Sequence, residues 1–126
     1  MVNEQAVISA LQPLGFKEVY LEGLGLDQQI DAVAGASCVV APHGAGLAHL
    51  VHARPFGALI EILPEDYPNP TFALLAGACG MSYGCVAAKR ASGAREHRTR
   101  ADICVDPVSV RALVDSALAM PALNPS

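Results

Sequence analysis

The chain has 126 residues, the size of one domain with a single hydrophobic core. Its composition is 52% hydrophobic and 16% charged, which excludes an intrinsically disordered protein. The formal net charge is -4 and no long basic run is present, so we expect no nucleic-acid partner. No apolar run reaches the roughly 18 residues of a transmembrane helix, and the N-terminus does not resemble a secretory signal. These features predict a cytoplasmic protein without a membrane segment.

The first third of the chain alternates helix and strand patterns. Apolar side chains recur at helical spacing over residues 3–14 and again over residues 26–33, which predicts two helices. A β-favouring run at 19–21 predicts a short strand between them. A continuous apolar run over 37–41, stopped by Pro42, predicts a strand buried on both faces of a parallel sheet.

The rest of the chain continues the alternation. Its predicted strands cover residues 57–63, 83–88 and 103–105, and its predicted helices cover 47–52, 71–80 and 107–118. Residues 89–101 are charged and contain Gly and Ser, which is typical of an exposed loop. This order predicts an α/β fold, a Rossmann-like, doubly wound parallel sheet in one domain over 1–120, followed by a tail over 121–126.

A glycine turn follows the predicted strand that ends at Pro42. The run "VVAPHGAGL" places Gly44 and Gly46 where a ligand can approach the backbone, and the free N–H groups of the next helix favour an anion. Glu61 lies in the next strand, where a carboxylate can accept hydrogen bonds from a ribose diol. The match to the dinucleotide motif G-x-G-x-x-G is weak because the third glycine position is His49, so a tight turn without a ligand remains an alternative.

A longer pattern carries a resemblance to a known family. The run "HGAGLAHLVHARPFGALIEILP", preceded by "GFKEVYLEGLGLDQQIDAVAGASCVVAP" and "VNEQAVISALQPL", resembles the carboxyl-terminal domain of the family 61 glycosyltransferases of the capsular-polysaccharide-biosynthesis type. The resemblance implies half of a two-domain GT-B architecture that binds a nucleotide sugar as substrate, with no metal or other cofactor. It implies transfer of sugars such as xylose or N-acetylglucosamine. The implied diphosphate site comprises His43, Gly44, Ala45, Gly46 and Leu47, and the implied ribose site is Glu61.

Three histidines in this region allow two interpretations. His49 and His52 could share a helix face with a metal, but no carboxylate joins them at zinc-site spacing, so we predict no metal site. His43 is the candidate catalytic residue, because at a phosphate-binding turn it can donate a hydrogen bond to the leaving diphosphate. A turn-stabilising histidine is the alternative, and Tyr83 is interpreted as core packing.

The chain also departs from the family pattern. Relatives have Ser in place of Gly25 and Thr-Asn in place of Ala48 and His49, and a strand ending in an arginine motif precedes their counterpart of the helix that begins at Asn3. The resemblance therefore implies a fragment that lacks its first strand and its acceptor domain, and that is inactive alone. Exposed strand edges favour association, so we expect a homodimer. The alternatives are a non-catalytic dinucleotide- or anion-binding Rossmann module and a fragment that serves only for association.

Overall fold

The computed structural model describes residues 1–44, 47, 57–66, 68–90 and 103–119. The tail over 121–126, the helix predicted over 47–52 apart from Leu47, and the loop predicted over 89–101 apart from Lys89 and Arg90 lie outside the described residues. The helices are α1 (Glu4–Leu11), α2 (Leu26–Ala34), α3 (Thr71–Ala78) and α4 (Pro107–Ala119). The strands are β1 (Cys38–Pro42), β2 (Ala58–Pro64), β3 (Ser82–Arg90) and β4 (Ile103–Cys104). Two short 3₁₀ turns cover Gln12–Leu14 and Leu21–Gly23.

Helix α1 ends as its sequence predicts. Val7 and Leu11, one turn apart, are both buried against the sheet. A 3₁₀ turn over Gln12–Leu14 follows, and Gly15 then adopts a φ of 89°, a left-handed conformation that glycine tolerates best. The helical spacing and its glycine stop are thus confirmed.

The start of α1 is tied to the distant segment that leads into α4. The Asn3 side-chain amide donates to the carbonyl of Val105 at 2.6 Å, and its Oδ1 accepts from the Val105 N–H at 3.2 Å. The backbone N–H of Val2 donates to the carbonyl of Ile103 at 2.9 Å. These bonds place α1 beside α4 on one face of the sheet.

The four strands form one sheet in the order β1-β2-β3-β4. Strands β1, β2 and β3 are parallel, whereas β4 pairs with β3 in the antiparallel direction. Buried side chains of α1 and α4 cover one face, and those of α2 and α3 pack on the other. The α/β character is confirmed, but the described sheet is mixed rather than parallel throughout, and its strand order shows no reversal.

The strand predicted over 19–21 is wrong. Val19 and Tyr20 lie outside any strand with 50% and 60% of their surface exposed, and Leu21–Gly23 is a 3₁₀ turn. A β-favouring run becomes a strand only when a neighbour satisfies its hydrogen bonds. Here a cleft of about 550 Å³, lined on one side by Val19 and on the other by residues 38–41, separates this segment from β1.

Candidate functional site

His43 directly follows strand β1 and is held by both neighbouring layers. Its backbone N–H donates to the carbonyl of Ile62 at 3.0 Å, which continues the β1–β2 pairing beyond Pro42. Its ring lies 5.0 Å from the ring of Phe72 on α3, at an angle of 54°. The side chain is 21% exposed, so a ligand in solvent can reach it.

The partner of His43 is a buried carboxylate. Among the described residues, Glu61 is the acidic side chain that lies in the buried core, with 0% exposure. Its Oε2 lies 2.6 Å from Nδ1 of His43, and its Oε1 accepts a hydrogen bond from the Tyr83 hydroxyl at 2.6 Å. A charge removed from water is costly unless it is paired and hydrogen-bonded, and these two contacts provide one partner for each oxygen.

The strand register explains why these three side chains meet. Glu61 lies opposite Ala41 of β1 and opposite Cys85 of β3. His43 and Tyr83 are two residues along the chain from those positions, and side chains two apart in a strand share a face. All three therefore lie on the face covered by α3.

The electrostatic environment keeps Tyr83 a hydrogen-bond donor. Burial, the hydrogen bond to Glu61 and the negative charge of that carboxylate raise the pKa of the Tyr83 phenol well above its ordinary value. The pKa of the neighbouring Cys85 thiol is also raised, with burial as the largest cause. Both groups are therefore neutral at physiological pH.

The glycine turn is described only in part. The Leu47 N–H donates to the carbonyl of Gly44 at 3.1 Å, and the Leu47 side chain is buried in the cluster that contains Leu59 and Phe72. The structure thus brings His43, Gly44 and Leu47 to one end of β1. The other two residues of the predicted diphosphate site, Ala45 and Gly46, lie outside the described residues, as do His49 and His52.

Glu61 faces inward rather than towards an open pocket. Glu61 has 0% exposure, so a ribose diol could reach its carboxylate only if a side chain that covers it, such as His43 or Tyr83, moved away. Ribose binding by Glu61 therefore stays a prediction, and the contacts favour a role directed at His43. Sequence reasoning assigned Tyr83 to core packing and missed its hydrogen bond to Glu61, because that contact depends on the strand register.

Among the described residues, no group of three or more His, Cys, Asp or Glu side chains is arranged to hold a metal ion. None of the helices in the described ranges has the length and apolar character to cross a membrane. The absence of a metal site stays a prediction for the whole chain.

The comparison with protein families finds a similarity over the first part of the chain. Residues 1–60 match the model of the family Glycosyltransferase 61. The matched segment includes α1, α2, β1 and His43, and it stops before Glu61 and Tyr83. The match supports a family 61 glycosyltransferase domain.

Two individual proteins are also similar in sequence to this chain. A stretch of 63 residues is 35% identical to a beta-1,2-xylosyltransferase of Arabidopsis thaliana. A stretch of the same length is 36% identical to the beta-1,2-xylosyltransferase RCN11 of Oryza sativa subsp. japonica. Each match covers 50% of this chain but only 12% of the relative, so the chain spans a small part of these enzymes.

Proposed function

We propose that this chain is the nucleotide-sugar-binding half of a glycosyltransferase and that His43 contacts the donor diphosphate. The observation that carries this proposal is the position of His43 at a glycine turn after β1, within the segment that matches family 61. The ring is exposed to solvent on one side and hydrogen-bonded to a buried carboxylate on the other. The α/β sheet is consistent with the Rossmann-like half of a GT-B architecture, which is part of the proposal.

The proposed chemistry needs a donor at the leaving group. Negative charge develops on the diphosphate as the bond to the sugar breaks, and a positioned N–H stabilises that charge. His43 supplies this N–H, and the N–H groups of the glycine turn supply further donors. In this proposal the nucleotide sugar is the substrate, no metal or other cofactor takes part, and transfer needs a separate acceptor domain. The capsular-polysaccharide type stays a prediction.

Nucleotide binding by the chain itself tests this proposal. Calorimetric titration is expected to give weak binding of uridine diphosphate, and Gly46→Val is expected to abolish it. The reason is that the added side chain would fill the space of a phosphate oxygen at the start of the helix predicted over 47–52. Gly77→Val is the matched control, because a Cβ at this exposed position of α3 meets nothing within 4 Å. It should leave the affinity unchanged.

Two outcomes would contradict the proposal. Unchanged affinity for uridine diphosphate in a folded Gly46→Val variant would show that the diphosphate does not bind at this turn. A nicotinamide dinucleotide that binds more tightly than uridine diphosphate would favour the alternative, a non-catalytic dinucleotide-binding module.

We further propose that the chain forms a homodimer through the open edge of β1. Within the described residues β1 pairs with β2 alone, and the cleft beside it is lined by apolar side chains such as Phe16, Val19 and Val39. Unpaired apolar edges promote association. The expected result of light scattering at ~100 µM, well above the dissociation constants of ordinary weak interfaces, is the mass of two chains. The mass of one chain together with sharp single-state spectra would contradict the dimer.

A further inference from the structure

We propose that Glu61 and Tyr83 are positioning residues that make His43 a double donor, with Nδ1–H directed to Glu61 and Nε2–H directed to the diphosphate. The diphosphate half of this inference rests on the proposed function, whereas the positioning half concerns the free protein. Neither residue lies in the segment that matches family 61.

The first step is the choice of ring nitrogen. In this proposal Glu61 is an ionised carboxylate, which only accepts hydrogen bonds, so its 2.6 Å contact from Oε2 to Nδ1 of His43 places the proton on Nδ1. Such a bond fixes both the tautomer and the ring orientation of a histidine. The backbone bond to Ile62 and the ring of Phe72 hold the same residue from two other directions.

The second step is the role of Tyr83. Its hydroxyl occupies Oε1 of Glu61 at 2.6 Å, so the carboxylate cannot rotate away from His43 without losing that bond. The phenol stays protonated because its pKa is raised, by burial first. Tyr83 therefore orients Glu61, and Glu61 orients His43.

The third step follows from the proton inventory of imidazole. A neutral ring carries one N–H, and here it is engaged by Glu61. A phosphate oxygen also accepts, so a hydrogen bond from Nε2 requires a second proton on the ring. His43 must therefore be the imidazolium in the complex, with Glu61 as its buried counter-ion. Among the described residues, Tyr83 and Cys85 on β3, which interact with Glu61, are neutral, and Phe72 on α3, which packs against the ring, carries no charge.

Nitrogen NMR of the free chain tests the positioning half. The chain has 4 histidines, and the His43 signals are assigned as those missing from His43→Ala. At a pH where the ring is neutral, we expect the proton on Nδ1 in the wild type and a mixture of tautomers in Glu61→Gln. Tyr83→Phe should keep the Nδ1 proton with a broadened signal, because Glu61 then moves more freely. A wild-type ring protonated on Nε2 alone would overturn the positioning role, and so would a Glu61→Gln spectrum identical to the wild type.

The pH dependence of diphosphate affinity tests the other half. The bound ring needs one extra proton. Above the midpoint of His43 protonation, which the same NMR experiment measures, the affinity for diphosphate should therefore decrease with a limiting slope of ~tenfold per pH unit. The ionisation of the ligand is measured separately by phosphorus NMR and subtracted. Affinity that is independent of pH above that midpoint would overturn the double donor while leaving the proposed function intact. A chain with the Nδ1 proton that binds neither uridine diphosphate nor pyrophosphate would refute the proposed function and the double donor, and would leave the positioning of His43 standing.

Discussion

Replacing Glu61 by glutamine is expected to lower the affinities for uridine diphosphate and for inorganic pyrophosphate by the same factor, roughly tenfold or more. The carboxylate touches His43 and Tyr83, so its loss reaches the ligand only through the His43 ring. Pyrophosphate has no ribose but contacts the same ring, so its affinity should fall by the same factor. Calorimetric titration of both ligands on both proteins measures the two factors.

The two roles considered for Glu61 differ in this comparison. If the carboxylate binds the ribose diol, Glu61→Gln should lower the affinity for uridine diphosphate and leave the affinity for pyrophosphate unchanged. That result would contradict the positioning role. Asp66→Asn is the matched control, because it removes a negative charge from an exposed residue that pairs with Arg90. The control should leave both affinities unchanged.

Much of the fold could be predicted because its signals are local. The apolar run of β2 is buried along its whole length, as a strand covered on both faces should be. Helix α3 begins at Thr71, as predicted, and Oδ1 of Asn69 just before it accepts from the Thr71 N–H at 3.0 Å. Both features depend on residues close together in the chain, and sequence patterns report such residues well.

The features that were predicted wrongly depend on residues that are distant in the chain. The run at 19–21 has β propensity but no described strand beside it, so propensity alone did not make it a strand. Strand β3 continues two residues beyond its predicted end at Ala88, because Lys89 and Arg90 pair with β4 in the antiparallel direction. The antiparallel direction of β4 itself has no local signature in two residues.

The candidate site shows the same division. The sequence points to His43 because it stands at a glycine turn after a predicted strand, and to Glu61 because an acid in the next strand can bind a ribose. Their mutual contact is set by the register, with Glu61 opposite Ala41, and the sequence does not specify that register. The direction of the carboxylate, and with it the role of Tyr83, could therefore be read only from the structure.

Removing the Tyr83 hydroxyl alone is expected to lower the free energy of unfolding by about 1–3 kcal/mol, the cost of leaving a buried polar group without its partner. In Tyr83→Phe the Oε1 atom of the fully buried Glu61 loses its donor. The double variant Glu61→Leu, Tyr83→Phe removes the carboxylate as well, and the apolar pair fits the cluster of Leu59 and Phe72 on the same face. Replacing buried charged groups with apolar groups of similar size is often neutral or stabilising, so we expect the double variant to recover most of the loss.

Urea unfolding of the wild type, both single variants and the double variant gives the coupling free energy between the two side chains. His43 is 21% exposed, so its ring can turn to water when Glu61 is absent, and it adds little to the cost. The double variant should then be more stable than Tyr83→Phe, while its affinity for pyrophosphate falls roughly tenfold or more. Losses that simply add would show that Tyr83 and Glu61 stabilise the fold independently. A stable double variant with weakened ligand binding would show that the protein retains a buried carboxylate for binding rather than for folding.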